Sequence, residues 1–123
     1  MNLPEHIEQF LHYIAERRRF SPRTVDTYKK SLVKFLEHLG YDASQVENAP
    51  ELSAFSEMNV KGFVWDLKMK QKLAPTSICE HLAALKSFGK YLVRSKVLET
   101  NPAEAVPMPK RPKRLVNVLG QKD

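Results

Sequence analysis

Two stretches of the chain repeat charged and hydroxyl side chains at helical spacing, an arrangement that binds phosphate groups. Within residues 22–39 the repeat places four side chains on one side of a helix: Arg23, Thr27, Lys30 and Lys34. Within residues 76–95 six residues lie on one side, five of them charged or hydroxyl-bearing and one the small Ala83, with Ser77 beside them: Thr76, Glu80, Ala83, Ser87, Lys90 and Arg94. Guanidinium, ammonium and hydroxyl groups donate hydrogen bonds to phosphate oxygens. The two stripes therefore indicate a surface for an anionic ligand.

Small polar residues near the same stripes add to this interpretation. Ser21 stands at a predicted N-cap, and Thr24 follows in the first turn of that helix. Because the N–H groups at a helix N-terminus favour an anion, Ser21 and Thr24 are candidate phosphate contacts. Ala83 and Ser87 allow two interpretations. Either they let the edge of a DNA groove approach the helix closely, or they are ordinary residues of an exposed helix surface.

The other reactive residue types do not form a catalytic or metal-binding pattern. The four histidines lack the spacing of metal ligands: His6, His12, His38 and His81. The chain has no glycine-rich phosphate loop, and we expect Cys79 to be a half-buried structural thiol. We expect His81 at the edge of the core and Tyr28 on the core side of its helix. The sequence predicts no enzyme activity, no metal, no cofactor and no small-molecule substrate.

The composition is typical of one globular domain with an anionic partner. The chain has 123 residues, 42% of them hydrophobic, and a net charge of +6. Its single cysteine fits a reducing compartment. It has no signal pattern at the N-terminus and no apolar run of about 20 residues. We therefore expect a cytoplasmic protein without membrane contact.

The positive charge is concentrated rather than spread along the chain. Residues 17–40 carry +5 and residues 61–96 carry +6, whereas residues 1–16 carry −3 and residues 41–60 carry −4. A solvated, salt-bridged surface would mix the two signs more evenly. Within the first basic segment, the triplet Arg17-Arg18-Arg19 either complements the C-terminal end of a helix dipole or lies beside a bound nucleic-acid backbone.

The periodicity of apolar residues predicts an all-α fold with four helices. We expect them over residues 4–18, 22–39, from 56 or 59 to about 71, and 75–95. Ser21 and Pro22 favour a start of the second helix, and Gly40 favours its end with a left-handed residue. A short turn is expected over residues 103–106.

Each predicted helix has an apolar side that would face a common core. In the second helix this side contains Val25, Tyr28, Leu32, Phe35, Leu36 and Leu39. In the third it contains Met58, Val60, Phe63, Val64 and Leu67, with Trp65 as a further candidate. In the fourth it contains Ile78, Leu82, Leu85, Phe88, Leu92 and Val93.

The C-terminal residues predict an extended basic tail. Three prolines within residues 107–112 exclude a helix there. The same stretch and its continuation carry four cations without an acid: Lys110, Arg111, Lys113 and Arg114. We therefore predict a helical domain over residues 1–106 and a linker over residues 107–123 that contacts nucleic acid. The apolar residues 115–119 would begin a further domain.

Two motifs in this order resemble the core-binding domain of tyrosine recombinases of the Xer and phage-integrase types. The first is Ser21-Pro22-Arg23-Thr24-Val25-x-x-Tyr28, followed by Leu32 and Phe35. The second is Leu82-Ala83-Ala84-Leu85-Lys86-Ser87-Phe88, followed by Tyr91-Leu92, Asn101-Pro102 and Pro109-Lys110. The resemblance extends over about residues 3–119.

The resemblance implies a four-helix, SAM-like orthogonal bundle that forms one half of a clamp around double-stranded DNA. The second and fourth helices would face the DNA, and other recombinase subunits would join the assembly. The catalytic residues of the family lie in a separate C-terminal domain, so none is assigned here. Family members often have Arg-Arg at Glu80-His81 and Arg at Lys86. Glu80 either accepts a hydrogen bond from a cytosine amino group or lies off the DNA.

Two alternatives to an isolated DNA-binding domain remain open on the sequence. One is a helical protein–protein interaction module whose basic stripes meet an acidic partner. The other is a complete recombinase of which this chain is one piece. Binding to a random duplex distinguishes the first alternative, and the downstream reading frame distinguishes the second.

Overall fold

The computed structural model describes residues 2–41 and 49–108, and these residues form four α-helices. The helices are α1 (Leu3–Glu16), α2 (Pro22–His38), α3 (Glu57–Met69) and α4 (Pro75–Arg94). A single 3₁₀ turn, Leu52–Ala54, precedes α3. Within the described ranges no strand forms beyond an isolated bridge between Asn2 and Glu51. The predicted all-α class and the four predicted helices are confirmed, whereas the basic tail lies outside the described residues.

Side-chain caps explain where three of the helices begin. Asn2 and Glu5 form a reciprocal capping box at the start of α1. The hydroxyl of Ser21 accepts a hydrogen bond from the backbone N–H of Thr24 at 3.2 Å, as the sequence predicts. Ser56 caps α3 through the N–H of Asn59 at the same distance. Helix α4 has no side-chain cap and begins at Pro75, whose fixed φ suits the first turn and whose missing N–H would have no acceptor within the helix.

Left-handed residues end the helices, and only one of them was predicted. Gly40 follows α2 with a φ of +88°, which confirms its expected role. Arg19, Lys72 and Lys96 adopt the same region after α1, α3 and α4, with φ between 52° and 62°. Each carries a Cβ that makes this conformation unfavourable, so the closure of these turns outweighs a local strain.

Helix α4 lies at the centre of the bundle and contacts each of the other three helices. Its buried residues meet a cluster of phenylalanine rings from all elements. Phe10 of α1 lies 5.5 Å from Phe88 of α4 between ring centroids, and Phe55 lies 5.1 Å from the same ring. Phe35 of α2 packs edge-on against Phe63 of α3 at 5.3 Å. Tyr28 stacks on Phe10 at the rim, so its predicted packing role is confirmed.

The prediction for the apolar side of α3 is wrong at two residues. Met58 is 81% exposed and Trp65 is 57% exposed, and Met69 joins them on the same side at 52%. The buried residues of α3 are Val60, Phe63 and Leu67. Apolar residues recur at helical spacing on both sides of this helix, but only one side packs against α4. The outer side therefore presents an apolar stripe to solvent.

The segment after α4 folds back onto that helix at Gly89. The amide of Asn101 donates to the backbone carbonyl of Lys86 at 3.0 Å and accepts from the N–H of Ala103. A Cβ at position 89 would overlap the Asn101 side chain, so any other residue there would have to displace Asn101. The predicted turn follows, with Ala103 and Val106 buried in the core.

Candidate nucleic-acid interface

The polar stripe of α2 faces solvent because the opposite side of this helix is buried in the core. Leu32 and Phe35 have 0% and 1% exposure, whereas Arg23, Thr27 and Lys30 are exposed. Lys34 is half-buried. The ammonium of Lys30 forms an ion pair with Asp26 at 3.2 Å. Arg23 and Lys34 form no ion pair with any other described residue, so their charge is available to a ligand.

The hydroxyl groups of this stripe are already engaged in local hydrogen bonds. Ser21 and Thr24 share a hydrogen bond of 2.9 Å between their hydroxyls. The hydroxyl of Thr27 donates to the carbonyl of Arg23 at 3.0 Å. All three side chains are exposed, so a ligand that uses them must share or replace these bonds. Their structural role at the start of α2 stands independently of any ligand.

The stripe of α4 divides into two regions. Glu80 and Lys90 are exposed, whereas Thr76, Ser77 and Ser87 are half-buried. At the far end, Arg94 lines a groove between α1 and α4 together with Tyr91 and three carboxylates of α1: Glu5, Glu8 and Glu16. Arg94 shares this groove with Arg17 and does not line the cleft that contains Lys30 and Lys34.

A hydrogen bond joins α2 and α4 where their polar surfaces meet. The hydroxyl of Ser31 lies 2.8 Å from Nδ1 of His81. Ser31 is only 2% exposed, and His81 is half-buried as the sequence predicts. A cleft at this junction is lined by residues of both helices: Asp26, Lys29, Lys30, Val33, Lys34, Glu37 and His81. The structure thus brings Lys30 and Lys34 together with a residue of α4.

The surroundings of His81 favour its neutral form. Burial lowers the pKa of the His81 imidazole below its usual range, and the nearby charge of Lys34 lowers it further. Glu80 acts in the opposite direction with a smaller effect. The sequence pattern did not identify this contact because Ser31 and His81 are 50 residues apart. The only local signal is a serine on the buried side of α2.

Several predicted features receive no structural description or a different one. The tail cations Lys110, Arg111, Lys113 and Arg114 lie outside the described residues. Cys79 is buried rather than half-buried. Within residues 2–41 and 49–108, no group of three histidine, cysteine or acidic side chains could hold a metal ion. In the same part of the chain, every helix is too short or too polar to cross a membrane.

Comparison with known proteins identifies the family to which the chain is similar. The family model for the phage integrase N-terminal SAM-like domain matches residues 7–96. The chain is 37% identical over 115 residues to the tyrosine recombinase XerC of Myxococcus xanthus. It is 32% identical over 114 residues to XerC of Pelotomaculum thermopropionicum and 26% identical over 115 residues to XerD of Oceanobacillus iheyensis. No solved structure matches the chain.

These relatives are longer than the chain. The matches cover 92–94% of the chain but only 35–37% of each relative. The matched region, the four helices and the two sequence motifs agree with one another. The chain belongs to the phage integrase N-terminal SAM-like domain family, which confirms the resemblance to tyrosine recombinases.

Proposed function

We propose that this domain binds duplex DNA during site-specific recombination, through one surface built from α2 and α4. The observation that supports it best is the junction at Ser31 and His81. These two side chains join the helices beside Lys30 and Lys34, so the polar stripes of α2 and α4 would form one surface around this junction. The opposite sides of both helices form the core, so the surface is held rigidly.

The chemistry of this surface suits the DNA backbone. Arg23, Lys34 and Lys90 supply charged donors that no described carboxylate neutralises, and contacts of this kind supply affinity without sequence preference. The tail cations would extend the contact along the DNA. Glu80 is the exposed acidic residue of the α4 stripe, so it is the candidate for reading a base, as an acceptor from a cytosine amino group.

The domain would work as one part of a larger recombinase. In this proposal residues 1–106 hold the DNA, residues 107–123 lead onward along it, and strand cleavage belongs to another domain. The assembly would contain further recombinase subunits on the same DNA, in the cytoplasm. In this proposal the described helices hold and position the DNA and take no part in strand cleavage.

The test compares two double variants that remove the same amount of positive charge. Arg23→Ala with Lys30→Ala changes the proposed surface, and Lys61→Ala with Lys68→Ala changes the outer side of α3. We expect the first variant to bind a random duplex more weakly. The slope of log affinity against log salt should also become shallower by about two. The second variant should bind like the wild type. Equal weakening by both variants would contradict the proposal.

The alternative of an acidic protein partner makes a different prediction. A module for such a partner would give no shift with a random duplex at micromolar concentration. The melting temperature of both double variants should stay close to that of the wild type, because all four side chains are exposed. A collapse of the fold in the first variant would show that the stripe is buried and the assignment wrong.

A further inference from the structure

We propose that the junction between α2 and α4 is a distinct phosphate-binding position, at which Lys34 and a protonated His81 together bind one backbone phosphate of DNA. This inference rests on the proposed function and adds a residue that the polar stripes do not contain. It also adds a chemical consequence: the charge of the phosphate favours the imidazolium form of His81, so binding is accompanied by proton uptake.

The geometry of the junction fits this role. Ser31 holds His81 through Nδ1 at 2.8 Å and is itself buried, so the imidazole is fixed relative to α2. The His81 ring also packs edge-on against Phe63 of α3, with 6.4 Å between the ring centroids, which further limits its orientation. With Nδ1 occupied, Nε2 is the nitrogen that remains for a ligand. The cleft next to the ring is lined by Lys30 and Lys34.

The serine suits either charge state of the histidine. A hydroxyl both donates and accepts, so Ser31 can donate to the neutral ring or accept from Nδ1–H of the charged ring. In each case Nε2–H is available as a donor to a phosphate oxygen. Binding therefore requires no rearrangement of the helices when His81 becomes charged.

The charges around the cleft determine when that happens. From α2 the facing groups are the cations Lys29, Lys30 and Lys34 and the carboxylates Asp26 and Glu37, and Lys30 is already paired with Asp26. From its own helix Glu80 faces His81, and α3 contributes the uncharged Phe63 ring. In the free protein, burial and Lys34 hold the pKa of His81 below its usual range.

A phosphate in the cleft shifts the protonation equilibrium of His81 towards the charged form. Its negative charge offsets the effect of Lys34 and favours the imidazolium, so the pKa of His81 is higher in the complex than in the free protein. By linkage, DNA binding is then accompanied by proton uptake, and affinity rises as the pH falls through the range between the two pKa values. A rise of one pKa unit on binding corresponds to about a tenfold gain in affinity.

The experiment measures affinity for a random duplex between pH 5.5 and 8.0 at constant ionic strength. The proteins are the wild type, His81→Gln and the matched control His12→Gln, which replaces an exposed histidine of α1. We expect affinity to rise about tenfold on acidification for the wild type and for His12→Gln. The rise should be largely lost in His81→Gln. Thermal melting of each protein at each pH verifies that all are folded.

The NMR titration of the His81 ring protons gives an independent readout that a merely structural role would not change. The pKa of His81 should increase when the duplex is added. An unchanged pKa, or the same pH dependence of affinity in His81→Gln as in the wild type, would overturn this inference and leave the proposed function intact. Absence of duplex binding at every pH would overturn both.

Discussion

The α2–α4 surface and the outer side of α3 both carry lysines, but in different settings. On α3, Lys61 pairs with Glu57 at 2.9 Å and Lys70 approaches Asp66 at 4.0 Å, each one helical turn earlier. On the α2–α4 surface, one of the cations has such a partner among the described residues, namely Lys30 with Asp26. Arg23, Lys34 and Lys90 have none there.

The residues between the cations also differ. On α3 they are Met58, Trp65 and Met69, so the lysines border an exposed apolar stripe. On the α2–α4 surface they are hydroxyl residues, the Ser31–His81 pair and one exposed apolar residue, Val33. Lysine content alone therefore does not identify an anion-binding surface. The two surfaces differ in how many of their cations have a carboxylate partner among the described residues, two on α3 and one on the α2–α4 surface, and in the residues that lie between the cations.

The largest expected effect concerns the two sides of α3. Phe63 is fully buried, so Phe63→Ala should reduce the free energy of unfolding by roughly 3–5 kcal/mol. Trp65→Ala, only two residues away, should change it by about 0.5 kcal/mol or less. Urea denaturation of both variants measures the difference. A large loss in Trp65→Ala would mean that the outer side of α3 is covered, and the contrast between the surfaces would fail.

A smaller effect is expected at the junction of α2 and α4. Ser31→Ala removes the hydrogen bond to a half-buried imidazole and should cost about 1 kcal/mol of unfolding free energy. Ser95→Ala is the matched control, because Ser95 is exposed and its hydroxyl forms no hydrogen bond within residues 2–41 and 49–108. Equal stability of the two variants would show that the serine does not hold the helices together.

The smallest effect concerns the ion pair on α3. Lys61→Ala removes an exposed ion pair with Glu57, one helical turn away. The free energy of unfolding should change by about 0.5 kcal/mol or less. The affinity of the Lys61→Ala variant for duplex DNA should equal that of the wild type. A clear loss of DNA affinity in this single variant would place α3 on the DNA and contradict the comparison.

Acidification should destabilise the free protein. Burial lowers the pKa of both His6 and His81, so below the usual histidine pKa the unfolded chain binds more protons than the folded one. Stability is therefore fully present above about pH 6.5 and is lost as the pH falls through the folded-state values. Denaturation midpoints between pH 5 and 8 measure this slope. His81→Gln should flatten it, and His12→Gln should not.

Much of the fold was predictable because local signals determine it. The Ser21 cap, Pro22 and Gly40 mark both ends of α2, and the apolar period of α4 identifies its buried side. The orientation of α3 was not predictable, because two apolar stripes at helical spacing compete and only tertiary packing chooses between them. The left-handed conformation of Lys72 and Lys96 was not predictable either, because glycine is the residue that normally indicates it.

The candidate site was predictable only in part. The stripe Arg23, Thr27, Lys30 and Lys34 follows from spacing along one helix. Its connection to α4 depends on a contact between residues far apart in the chain, and the separation of Arg94 depends on how α1 packs. Spacing within one helix cannot supply either relation, because both are set by the packing of different helices.

The central claim is that the α2–α4 surface binds duplex DNA through its phosphates. The most direct test is a titration of the wild-type protein with a random duplex between 50 and 200 mM salt. With about six phosphate contacts, affinity should fall roughly 10³-fold over this range, in a linear relation between log affinity and log salt. Binding that does not change with salt, or no binding at 50 mM salt, would contradict the account.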